Sequence, residues 1–233
     1  MKIWAFAVLT MLFIAGGAAS DAIVVKSISR SLRPTPVPRY DNETSRSKTS
    51  GKNRWLQLSV TFIPTTSAKP KDGWYDDVTM EGLLVMSPPG KEKKFIVLSG
   101  KTRYFTIPAD DKDHYGVFYV PPAVLARYCG DSAGAMKAIE SIRISFYGPG
   151  RILLGNGYWV ASGKSGELIL PGNKKYATVA ARMKEYEKPY RDVVFLRGGL
   201  YSKEKTPWVY FDYDFYDLIY DNVQPQTGES IKK

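Results

Sequence analysis

The chain has 233 residues, a formal net charge of +10 and a 44% apolar composition. That length suits one sizeable domain or two small ones, whose core can form without disulfide support. Its one cysteine excludes an intrachain disulfide, and one cysteine with one histidine excludes a structural zinc site, which needs several such ligands.

Taken in chain order, Met1-Lys2 is a basic start, residues 3–14 are apolar apart from Thr10, and residues 16–20 are small. That order is a secretory signal peptide. Its apolar run is shorter than the roughly 20 residues that a spanning helix needs. The mature chain is expected to begin near Asp21, without Lys2 and without a transmembrane span. It is expected in the periplasm, at the outer-membrane periphery or on the surface of a Gram-negative-type bacterium. A basic surface there favours anionic glycans, lipopolysaccharide or another protein as partner, and argues against nucleic acid.

Residues 23–28 read as a strand. Residues 31–53 bring alternating prolines and then an almost wholly polar stretch, an extended linker too polar to bury itself. The tether leaves Ile23, Val24, Val25 and Ile28 as a candidate edge-strand contact, in this chain's sheet or a neighbour's. Leu56-Gln57-Leu58-Ser59-Val60-Thr61-Phe62 and Ile142-Arg143-Ile144-Ser145-Phe146 alternate apolar with polar, as strands with one buried face do. Shorter apolar runs at 82–86, 95–98, 104–107, 117–120, 158–160, 168–170 and 193–196 add further strands. Asn156-Gly157 reads as a hairpin turn. A short helix opens at Pro121-Pro122 and stops at Gly130. An amphipathic helix over 174–187, with Tyr176, Val179, Ala180 and Met183 on one stripe, runs from an Asn173 cap to Pro189. Many short strands with such turns predict a mainly β, antiparallel, immunoglobulin-like β-sandwich with one short and one amphipathic helix. The expected organisation is a signal peptide over 1–20, strand and linker over 21–53, sandwich over 54–223 and polar tail over 224–233.

Few residues suggest chemistry. His114 sits in a polar turn with Asp110, Asp111 and Asp113 and reads as a solvated loop histidine. The acidic turn departs from a calcium loop, because Tyr115 takes the fifth position and Pro122 the twelfth. Gly163-Lys164-Ser165 lacks the earlier glycine of a phosphate loop, a place held by Tyr158. Cys129 reads as a small buried apolar residue. No cofactor, metal or catalytic residue is expected. In residues 208–216, Trp208, Tyr210, Asp212, Asp214 and Tyr216 form a candidate interaction surface, because aromatic side chains dominate contact hot spots.

The run of the sequence, including Phe118-Tyr119-Val120-Pro121-Pro122-Ala123-Val124-Leu125, Tyr158-Trp159-Val160 and Asp212-Tyr213-Asp214-Phe215-Tyr216-Asp217, resembles secreted immunoglobulin-like proteins encoded beside type IV pilus-like genes in mucus-dwelling Verrucomicrobia. The resemblance implies a β-sandwich without enzyme activity that works at the cell surface with pilus-like or outer-membrane proteins. The chain departs from a pilin subunit, because its apolar N-terminal run is short and no glutamate follows the processing site. The resulting expectation is a non-enzymatic structural or adhesive protein, an accessory of a pilus-like assembly that also associates with itself. The alternative is a carbohydrate-binding module for acidic envelope or mucin glycans.

Overall fold

The computed structural model describes residues 21–34, 54–68, 70, 72–88, 94–162, 165–188 and 192–208. Two sheets pack face to face. The smaller is built from β1 (Ile23–Pro34), β2 (Arg54–Pro64), β5 (His114–Val120) and β10 (Tyr201–Ser202), in that order across the sheet. In the larger, β8 (Ser165–Ile169), β7 (Leu153–Ser162), β6 (Ile139–Tyr147), β3 (Trp74–Met86), β4 (Phe95–Pro108) and β9 (Val193–Arg197) lie side by side. This is a mainly antiparallel β-sandwich. One pair, β4 with β9, is parallel.

The period-two pattern makes the core. Leu56, Leu58, Val60 and Phe62 of β2 face Ile142, Ile144 and Phe146 of β6 across the sandwich, all essentially out of solvent. Burying each such side chain stabilises the fold by about 1.5–3 kcal/mol. Residues 95–98 and 104–107, separate runs in the sequence, belong to one 14-residue strand, β4. The segment 31–34, expected to begin the linker, completes β1, and β1 pairs with β2 of its own chain from Ile23 to Pro34. The first strand is therefore part of the sandwich. The rest of the expected linker, the end of the second helix stop at Pro189, the signal peptide and the tail lie outside the described residues.

Asn156-Gly157 is not a hairpin. It lies inside β7, which runs unbroken through it. The glycines serve a close approach instead: a Cβ on Gly155 would sit 1.7 Å from the Ile23 carbonyl oxygen, where β1 crosses β7. Asn156 stays in the strand because its Oδ1 accepts a hydrogen bond from the Tyr176 hydroxyl at 2.7 Å.

Among the described residues three α-helices complete the fold. α1 (Pro122–Cys129) starts on proline and ends at Gly130, whose φ is 80°. α2 (Ser132–Ala138) follows at once, a helix that the sequence pattern does not predict. Its composition, Ser-Ala-Gly-Ala-Met-Lys-Ala, shows no wide apolar stripe. The Asp131 side chain starts it by accepting the Gly134 amide at 2.6 Å. α3 (Tyr176–Tyr186) begins two residues later than expected, because Asn173 accepts the Lys175 amide and closes the preceding turn rather than capping the helix. Met183 and Tyr186 of α3 pack on Leu83, Val85, Val97 and Ile169, so the helix covers one half of the outer face of the six-stranded sheet.

Candidate functional site

The other half of that outer face is charged. Strand alternation puts Gly82 and Leu84 toward the core and Glu81 and Leu83 outward, and the same rule turns Arg143 of β6, Ser99 and Lys101 of β4 and Arg197 of β9 outward. Register then sets them side by side. Arg143 lies opposite Leu83, Leu83 opposite Ser99 and Ser99 opposite Arg197, while Glu81 lies opposite Lys101. Gly100 lets the chain close over the far side: a Cβ there would meet the Leu200 carbonyl oxygen at 2.2 Å, and the Leu200 amide donates to the Ser99 carbonyl. Tyr201, Ser202 and Lys205 are thereby held at the rim.

The result is a cleft of about 950 Å³. Five cations line it (Lys101, Arg143, Arg151, Arg197 and Lys205) against two carboxylates, Glu81 and Glu187. Both carboxylates are engaged. Arg151 forks onto Glu81 with contacts of 3.1 and 3.3 Å, and its guanidinium lies over the Tyr147 ring. Glu187, just beyond α3, pairs with Arg143 Nη1. No ion pair engages Lys101, Arg197 or Lys205 among the described residues. The Arg143 Nε is buried without a hydrogen-bond partner there. Phe195 presents an exposed ring among these cations. Such a surface can hold an anion through charge-assisted hydrogen bonds.

The sequence singled out none of these cations. They come from five separate elements, so no basic run announces them, and the three on strands each occupy a polar position of an alternating pattern.

The residues it did single out fall elsewhere. Trp208 is 5% exposed and therefore no free contact residue. It stacks on Tyr119 at 4.8 Å with a further edge contact to Trp55, closing an aromatic cluster on the outer face of the smaller sheet. Tyr210, Asp212, Asp214 and Tyr216 lie outside the described residues. Ile23, Val25 and Ile28 are buried in their own core and Val24 is half-buried, so the exposed part of β1 is its second half.

His114 is not a solvated loop residue. Its side chain is 10% exposed, lies against Phe62, and its Nε2 sits 3.1 Å from Asp110 Oδ1. The acidic turn is tied down residue by residue. Asp113 pairs with Lys26 at 2.8 Å, and Asp111 accepts the Thr66 amide and hydroxyl. Those two Thr66 hydrogen bonds hold the Asp111 carboxyl below its ordinary value. Burial works to raise the Asp110 carboxyl, but hydrogen bonds from His114 and the Lys112 amide outweigh it and bring the value down. Cys129 is buried, and that burial pushes its thiol up to about 11. Among the described residues no three His, Cys, Asp or Glu side chains gather into a metal site, and no helix is long and apolar enough to cross a membrane.

A family model matches residues 17–223. The chain belongs to that family. It is similar to the crystal structure of a protein from Akkermansia muciniphila, at 18% identity and a TM-score of 0.62, covering 85% of this chain and 93% of that one. That likeness shows a shared fold. No curated protein matches significantly.

Proposed function

We propose that this protein is a non-enzymatic structural or adhesive component of the bacterial surface, exported by its N-terminal leader and acting as an accessory of a type IV pilus-like assembly. The observation that carries the reading is the position of β1. It forms the edge of the four-stranded sheet, and its second half, with exposed Ser29, Ser31 and Pro34, has no further strand beside it among the described residues. An edge strand offers unpaired main-chain groups on which a partner's strand can add. Cys129 supports it too, because its burial raises the thiol and makes it a poor nucleophile.

A photo-crosslinking residue at Ser29 or Ser31 in the native envelope, read by mass spectrometry, tests the reading. Crosslinks to pilus-like surface proteins are expected. Recovery of the uncrosslinked chain alone would overturn it. Deleting the N-terminal segment is not a usable test, because β1 supplies core side chains. A second reading, a module for acidic glycans, is favoured by one observation, the basic cleft on the opposite sheet.

A further inference from the structure

We infer that the cleft formed by β3, β4, β6 and β9 binds an anionic glycan, a polysaccharide bearing sulfate or carboxylate groups, with Lys101, Arg143, Arg197 and Lys205 as charge contacts and Phe195 as the ring on which a sugar stacks. This rests on the second reading above and gives it a site.

Three independent features point there. The first is charge without internal compensation. Lys101, Arg197 and Lys205 converge on one cleft with no ion-pair partner among the described residues, although the same surface uses carboxylates to hold Arg143 and Arg151. Cations gathered in a concave site raise the local concentration of anions. The second is the Arg143 Nε, a buried donor without an acceptor among the described residues. Such a group is costly to leave unmet once it is out of water, and an oxygen of a bound anion would satisfy it. The third is Phe195. It is 37% exposed and lines the cleft beside Arg197 and Lys101.

Size and composition choose the ligand. The cleft, at about 950 Å³, has room well beyond a single small anion, at the upper end of the roughly 300–1,000 Å³ of ordinary ligand sites. A groove for single-stranded nucleic acid carries a series of rings for successive bases. Here Phe195 stands among separated cations, and the other ring of the lining, Tyr201, is engaged edge-on by Trp55, which suits a chain of pyranoses with anionic substituents.

The test uses the full mature chain and three probes: a heparin-derived oligosaccharide, an oligogalacturonate and neutral dextran, titrated calorimetrically. The chain should bind the first two and not the third, and should bind more weakly as salt rises from about 0.05 to 0.5 M. Replacing Lys101→Glu together with Arg197→Glu should weaken binding by about tenfold or more, whereas Lys137→Glu, on α2, should not. Phe195→Ala should also weaken glycan binding while sparing the melting temperature. Binding unchanged by both the charge reversals and Phe195→Ala would overturn the site and leave the glycan reading standing elsewhere on the molecule. Absence of binding to either charged glycan would overturn both. Thermal melts of each variant separate lost binding from lost folding.

Discussion

Under α3, the outer face of the six-stranded sheet carries Leu83, Val85 and Val97, nearly free of solvent against Met183 and Tyr186. A few residues along the same strands, the same face carries Glu81, Lys101 and Arg197, with Arg143 opposite Leu83. Backbone geometry is continuous across the boundary, so β propensity does not explain the change. Cover does. Where a helix shields the strands the residues are chosen by packing. Where no described element shields them the sequence places an excess of cations, which adds mutual repulsion and little stability. A composition that stability does not ask for is where function is best sought.

The comparison can be broken at several points. The largest effect belongs to a covered face. Trp208→Ala, which removes the ring stacked on Tyr119, should lower unfolding free energy in denaturant by about 3–5 kcal/mol. A change under 1 kcal/mol would mean that Trp208 sits outside, as a contact residue should. Met183→Ala, under α3, should cost about 2–5 kcal/mol and leave glycan titrations unchanged. Lys101→Glu with Arg197→Glu should invert that result, shifting stability by no more than about 0.5 kcal/mol while binding falls. The smallest effect is in acid. Asp111 has its folded value lowered, so its hydrogen bonds to Thr66 stabilise the fold above the unfolded value, and that contribution disappears as pH drops below about 4. Melting curves of Asp111→Asn should therefore depend less on pH in that range than those of the parent chain.

Much of the fold was legible because period two is a local signal. Leu56 to Phe62 and Ile142 to Phe146 declared both their strand character and their buried face. What escaped were features set by distant parts of the chain. Asn156-Gly157 looks like a turn until β1 is seen crossing Gly155, and the parallel place of β9 beside β4 depends on the passage of the chain through α3. α2 owes its start to the single Asp131 cap. The candidate site was less legible still. Clustered aromatics near Trp208 drew attention because they are adjacent in sequence, and the described part of that cluster turned inward. Lys101, Arg143 and Arg197 are 42 and 54 residues apart in the chain and become neighbours only through strand register.

One paired measurement tests the central claim most directly: glycan titration and chemical denaturation of Met183→Ala beside Lys101→Glu with Arg197→Glu. The account predicts a double dissociation, with the first variant less stable but binding normally and the second stable but binding at least about tenfold more weakly. If the charge-reversed variant binds as the parent chain does, or loses binding only as it loses stability, the open half of the sheet is not a ligand site.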